Sequence, residues 1–180
     1  MGVEASATEA GSGTAIPERG ASACTTGWWT LRSATAADVE VIAELRATVM
    51  RGDLERLGRY DEHRVRQRLR DSFSTRHTSI VMVDDALAGC ITVRPTEGRH
   101  WLEHFYLAPP HQGRGLGSAV LRTVLDRADA QAVVVGLNVL QGSAARRLYE
   151  RHGFVAEAED PIDVLMSRPP SAVARPAEQA

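Results

Sequence analysis

Glycines crowd one short stretch of this chain, Leu107-Ala-Pro-Pro-His-Gln112-Gly113-Arg114-Gly115-Leu116-Gly117-Ser118, where a β-rich segment gives way to an apolar helical pattern. A strand-to-helix junction of this kind offers backbone N–H groups without intrahelical partners, at the end of a helix dipole worth roughly half a positive charge. Phosphate is the natural guest. A side chain at Gly113, Gly115 or Gly117 would hold a pyrophosphate off those amides or forbid the backbone angles that aim them. The spacing is Gly-x-Gly-x-Gly, which does not fit the dinucleotide fingerprint Gly-x-Gly-x-x-Gly. A purely structural connection can also use such a turn, so the motif needs company before it means chemistry.

Three more side chains are of types that move protons. Alternation along a strand over residues 100–108 puts Trp101, Glu103, Phe105 and Leu107 on one face and Leu102, His104 and Tyr106 on the other. Glu103 among apolar neighbours would be a stronger base than a free carboxylate, and His104 titrates in the useful range without help. For either one, a hydrogen-bonded structural role is the competing use. Tyr149 brings a phenol with a pKa near 10, a good hydrogen-bond donor to a developing anion, or else an aromatic packed between helix and sheet. The remaining histidines, His63, His77, His100, His111 and His152, lack a helical partner of ligand type, so no metal site is expected.

All 21 basic residues are arginine, which removes a Walker-type phosphate loop, a Schiff-base lysine and a kinase lysine from consideration. Against 23 acidic residues the formal net charge is -2, so no overall field draws nucleic acid or anionic lipid. No run of about 18 apolar residues suggests a membrane span, and the start lacks a basic segment followed by an apolar one, which makes cytoplasm the expected compartment. The two cysteines, Cys24 and Cys90, stand far apart without metal-ligand spacing and read as reduced thiols, Cys90 as a small buried residue.

A chain of 180 residues with 43% apolar and 24% charged side chains suits one soluble domain. Residues 1–27 and 169–180 read as disordered tails, and 28–168 as one unit without internal repeat. Within it, a strand over 28–34 is followed by a capping-box-like Thr35-Ala-Ala-Asp38 and a helix with Ile42, Leu45 and Val49 on one face, stopping near Gly52. A second helix from about Asp61 carries Val65, Leu69 and Phe73, leaving Arg64, Arg66, Arg68 and Arg70 as a solvated face. A hairpin over 79–94, the strand 100–108, a helix 115–130, a buried strand 132–140, a helix 143–151 and two strands at 154–158 and 162–166 complete the order. That order describes an α/β fold, a mixed and mostly antiparallel sheet with helices on both faces.

Gln112-Gly-Arg-Gly115-Leu-Gly117 resembles the pyrophosphate loop Gln/Arg-x-x-Gly-x-Gly/Ala of the GNAT superfamily of acetyl-CoA-dependent N-acetyltransferases, and Ala145-Arg-Arg-Leu-Tyr149-Glu-Arg-His-Gly153-Phe154 resembles that family's segment ending in Tyr-x-x-x-Gly-Phe. The resemblance implies a GNAT-like fold with a splayed central strand pair and acetyl-CoA as cosubstrate without a metal. It implies that Gln112, Gly113, Arg114, Gly115, Leu116, Gly117 and Ser118 hold the pyrophosphate, and that Leu107 and Asn138 meet the pantetheine arm in the gap between two strands. Where many relatives have Asn ahead of the tyrosine this chain has Gly142, and Ser143 is the substitute contact. Tyr149 is implied as general acid, Glu103 or His104 as base, and residues 50–61 and 157–163 as the borders of the acceptor pocket. The expected reaction is acetyl transfer to a primary amine of a small molecule or peptide by direct attack in a ternary complex. No nucleic-acid or membrane partner is expected, and a homodimer is left open. The rivals are a non-catalytic acyl-CoA-binding regulatory module on the same fold, and a nucleic-acid binder using the arginines of the second helix.

Overall fold

Asp38 sets the start of the first helix by turning back on the residues before it. Its carboxylate accepts from the Thr35 N–H at 2.7 Å and from the Arg32 guanidinium at 2.6 Å, which pins the end of strand β1 (Trp29–Ser33) to helix α1 (Val39–Arg56). Those two partners hold the carboxyl well below the usual range. The computed structural model describes residues 28–171. Cys24 and the segment 1–27 lie outside them, as do residues 172–180.

Helix α1 does not stop at Gly52 but runs a further turn. A glycine inside a helix weakens it by about 1 kcal/mol without ending it. The stop is set at Gly58, whose φ of +64 lets its N–H reach Glu55 O while Arg59 N–H reaches Leu54 O, a Schellman ending. Asp61 then caps helix α2 (Glu62–Ser72) by accepting from the Arg64 N–H at 2.7 Å. Two of its arginines are not a solvated face: Arg66 and Arg70 pair with Glu44 and Glu40, at 2.6 and 2.8 Å, and tie α2 to α1.

Strand β2 (Thr78–Val83) and strand β3 (Ala86–Thr96) form the expected hairpin, with Asp84 and Asp85 at φ +48 and +60. Aspartate tolerates that left-handed region better than most residues, and it suits the right-handed strand twist. Strand β4 (Arg99–Leu107), helix α3 (Leu116–Ala130), strand β5 (Val134–Leu140), helix α4 (Ala145–Arg151), strand β6 (Val155–Glu159) and strand β7 (Asp163–Arg168) follow. The seven strands form one sheet in the order β1-β2-β3-β4-β5-β7-β6, in which only β4 and β5 run parallel.

Each face of the sheet has its own core. Leu116, Val120, Leu121, Val124 and Leu125 of α3 pack with Tyr149 and Phe154 onto one side. Ile42, Ala43 and Leu45 of α1 and Leu69 of α2 pack with Ile80, Cys90 and Tyr106 on the other. Apolar area removed from water on both faces is the main stabilising term, at roughly 25 cal/mol per Å2. The end of β7 is fastened by Arg168, which forks onto Asp129 at the close of α3 with bonds of 2.7 and 2.8 Å. Ser171 donates its N–H to the same carboxylate at 2.8 Å, so the chain stays fastened to α3 as far as residue 171. No helix among the described residues is long and apolar enough to cross a membrane.

Candidate active site

Strands β4 and β5 pair only from Arg99–Val134 to Leu102–Leu137, and beyond that point they diverge. A cleft of about 1030 Å3 opens there, lined by the unpaired half of β4, by Asn138 and Leu140 of β5, by the start of α3, and by Tyr149 of α4. The segments 50–61 and 157–163 do border it, through Met50, Asp53, Arg59, Asp160 and Asp163.

At one end of the cleft, Gly115 caps α3 with φ +85, and the first intrahelical bond runs from Ala119 N–H to Gly115 O. The amides before Ala119 therefore lack a partner within the helix and gather at its positive end. Neither Gly113 nor Gly115 has any atom within 4 Å of where a Cβ would stand, so the space above those amides is open. Gln112, Gly113, Gly115, Gly117 and Ser118 line the cleft, whereas Arg114 and Leu116 do not. Leu116 is wholly buried in the core, which takes it out of the binding surface, and Arg114 is exposed outside the cleft wall. Gln112 spends its side-chain amide on Leu107 O at 2.8 Å. That bond fixes the loop to the end of β4 and occupies the carbonyl that the resemblance offered to pantetheine.

Asn138 and Ser143 also reach the cleft. The Ser143 hydroxyl accepts from the Ala145 N–H at 3.3 Å and so starts α4. At Gly142 a Cβ would stand 2.8 Å from the Arg56 guanidinium, which bonds the neighbouring Gln141 carbonyl. Arg56, arriving from α1, fills the space that an asparagine side chain would need.

Tyr149 is 6% exposed, its ring set edge-on to Phe154 with centroids 5.7 Å apart. Its hydroxyl makes no hydrogen bond to any described residue and lies at the cleft wall. Burial pushes the phenol up from its ordinary value, so the proton stays on oxygen at working pH. A structural tyrosine this buried would normally have found a partner for that O–H.

The simple alternation expected for β4 fails at His104. Its φ of +46 and the register shift between Cys90↔Tyr106 and Thr92↔Glu103 mark a β-bulge, and beyond it the faces exchange. Leu102 and Phe105 face α3, while Glu103, His104 and Tyr106 come together on the α1 side. Glu103 and His104 are therefore neighbours, 3.9 Å apart, not residues of opposite faces. Both ring nitrogens of His104 are engaged, Nε2 with Ser72 Oγ at 3.0 Å and Nδ1 with Tyr106 Oη at 3.3 Å. Burial, aided by Arg46 and Arg94, lowers its pKa to about 4. The surroundings of Glu103 are not apolar, because Arg94 Nη2 stands 3.4 Å from its carboxylate. Cys90 is fully buried, its thiol pushed up to about 12, and its Sγ donates to His104 O, so it is no nucleophile.

The depressed His104 value has a measurable consequence. An unfolded chain takes up the ring proton near pH 6.5, the folded protein only near 4, so the stability this group contributes is complete above about 6.5 and is lost as pH falls toward 4. The loss is about 3 kcal/mol. Chemical denaturation at neutral pH and at the low end of that window is expected to show this slope in the wild type and a much shallower one in His104→Asn. Equal slopes would place a solvated ring at this position.

Arg46 and Tyr106 belong to the site as well, although no motif in the sequence marks either one. Arg46 Nη1 donates to Tyr106 Oη at 2.6 Å, and both side chains line the cleft. The sequence does carry a signal: Ile42, Leu45, Arg46 and Val49 have i, i+3, i+4, i+7 spacing, so Arg46 occupies a core position of the apolar stripe.

Among proteins with curated descriptions, none matches this chain in sequence. Solved structures match its fold. A PaiA N-acetyltransferase from Thermoplasma acidophilum, in complex with coenzyme A, is 19% identical with a TM-score of 0.65 and covers 78% of this chain and 98% of its own. The ribosomal-protein alanine N-acetyltransferase of Escherichia coli is 18% identical with a TM-score of 0.62, covering 81% of this chain and 96% of its own. An N-acetyltransferase from Staphylococcus aureus gives 18% identity and a TM-score of 0.59 over 76% and 97%. At such identities these likenesses speak for the fold alone. The family model for the acetyltransferase (GNAT) family matches residues 41–154, a span that holds the bulged strand, the glycine-rich helix start and Tyr149, and the chain belongs to that family.

Proposed function

We propose that this protein moves the acetyl group of acetyl-CoA onto a primary amine by direct attack within one cleft. The observation that carries the reading is Tyr149: a buried phenol whose hydroxyl has no protein partner among the described residues and stands where β4 and β5 part. The glycine-rich start of α3 supplies unpaired amides for the pyrophosphate at the same cleft, with Gly113, Gly115, Gly117 and Ser118 along its wall. Asn138 and Ser143 flank the path of the pantetheine arm, and Gln112 keeps the loop in place.

In the reaction the neutral amine nitrogen attacks the thioester carbonyl carbon, the C–S bond breaks, and CoA leaves as thiolate, which takes up the proton that the acylated nitrogen sheds. Tyr149 meets the developing sulfur charge with its O–H. Because burial raises the phenol further above a thiol pKa near 8.5, full proton transfer is uphill and a hydrogen bond to the leaving sulfur is the larger contribution. The incoming amine, with a pKa near 10.4, must first lose a proton at a cost of roughly 4 to 5 kcal/mol at pH 7. Glu103 takes that proton, directly or through water, because its carboxylate lies in the cleft wall while both nitrogens of His104 are already bonded. Arg94 positions the carboxylate.

The pH profile of turnover tests the assignment of the base. Glu103→Gln is expected to erase the low-pH limb of the rate and leave acetyl-CoA affinity within about threefold. A limb unaltered in Glu103→Gln and lost in His104→Asn would transfer the role to His104. If it persists in both, the substrate's own amine or water sets it.

A further inference from the structure

Arg46 is a buried cation without a counter-ion among the described residues. It is 8% exposed, and among the described residues its one hydrogen bond is the donation from Nη1 to Tyr106 Oη, while Nε has no partner at all. Tyr106 is itself sealed in, and burial pushes its phenol up to about 12, so it stays neutral and cannot balance the charge. Among the described residues no carboxylate stands within ion-pair distance of Arg46, and Glu103, the acid beside His104, is matched with Arg94. Burying an unpaired guanidinium is costly, and such groups are found paired or poised to pair with a ligand.

The rest of the wall points the same way. Of its acids, Asp53 pairs with Arg56 at 3.0 Å, Asp61 accepts from the Arg64 N–H and Asp160 from the N–H groups of Ile162 and Asp163, while the Asp163 carboxylate has no partner among the described residues. Arg59, Arg64 and Arg68 line the mouth, and none of the three has an ion pair to a described residue. Unengaged charge in the acceptor region is therefore positive on balance, with Arg46 inside and three arginines at the mouth against the single carboxylate of Asp163.

We propose that the acceptor is an amino acid in chemical class, a small amine carrying a carboxylate that seats on Arg46, with Arg59, Arg64 and Arg68 drawing it to the mouth. Carboxylate is the fitting partner because a guanidinium presents a planar fork of donors, and Arg46 has spent only one side of its fork on Tyr106. Hydrogen bonds of 2.6 and 3.3 Å run from Arg46 through Tyr106 to the His104 ring, and the proposed base Glu103 stands 3.9 Å from that ring. This inference rests on the transferase reading, since it names the acceptor of that reaction.

The test is CoA release by the full-length protein with the common amino acids, each beside its own carboxamide, which keeps the amine and removes the charge. For at least one pair, kcat/KM is expected to favour the acid by roughly ten- to a hundredfold, and Arg46→Met to erase that ratio, with Arg46→Lys between them. Acetyl-CoA affinity by calorimetry and the melting temperature show whether the variants remain folded. Amides used as well as acids by the wild type would overturn the proposal, whatever the variants do. So would an Arg46→Met protein that loses both substrates in equal proportion, which would make Arg46 only the support of Tyr106. Should no amine of either kind be acetylated, the transferase reading fails and binding decides: calorimetric binding of the amino acids in the presence of acetyl-CoA, lost in Arg46→Met, keeps the carboxylate seat, and no binding removes it.

Discussion

Replacing Gly115 by glutamate is expected to abolish acetyl-CoA binding in a protein that still folds. Gly115 sits at φ +85, where a side chain costs about 1 to 2 kcal/mol, and nothing lies within 4 Å of the new Cβ, so no clash is added to that strain. The carboxylate, however, would stand over the amides that begin α3, where a pyrophosphate needs positive potential and open space. Like charges in contact cost several kcal/mol, which corresponds to a loss of affinity of about a hundredfold or more. Gly115→Ala separates the two effects, because it brings the backbone strain without the charge and should bind with far smaller loss. Titration calorimetry showing wild-type affinity in folded Gly115→Glu would remove the glycine-rich start of α3 from the binding site.

Removing the hydroxyl of Tyr149 is expected to lower turnover by roughly 10²- to 10⁴-fold, the range for losing a positioned donor to the leaving group. Tyr149→Phe suits the question because the hydroxyl has no partner among the described residues to lose, and the ring keeps its edge-on contact with Phe154. Stability and acetyl-CoA affinity should thus change little while kcat falls. Turnover within about threefold of wild type, under conditions where chemistry limits the rate, would make Tyr149 a packing residue.

How far the residues announced this arrangement depends on whether their signal was local. The glycine-rich turn, the Asp38 and Asp61 helix starts, the Asp84-Asp85 hairpin and the apolar faces of α1 and α3 are local features, and each element stands where its residues placed it within a few positions. Gly52 misled because an interior glycine weakens a helix without giving it the left-handed exit that Gly58 provides. The bulge at His104 was not legible. Its neighbours keep a regular apolar alternation, and only the pairing of β4 with β3 across a register shift turns Glu103 and His104 to one side. Interactions across the sequence were equally hidden: nothing near Gly142 indicates that Arg56 fills its flank, and nothing near Arg66 or Arg70 indicates Glu44 and Glu40 as partners. Arg46 was legible in principle, as a charge in a core position of α1, but only its surroundings in three dimensions show that no acid among the described residues pairs with it.

The most direct measurement is a transfer assay on the full-length protein with acetyl-CoA and a broad panel of primary amines, following released thiol and, by mass spectrometry, the acetylated amine. The expected result is at least one amine whose acetylation keeps pace with CoA release, depends on both substrates in a ternary-complex pattern, and leaves no acetyl group on the protein. Tight acetyl-CoA binding with no amine acetylated above the uncatalysed rate would contradict it.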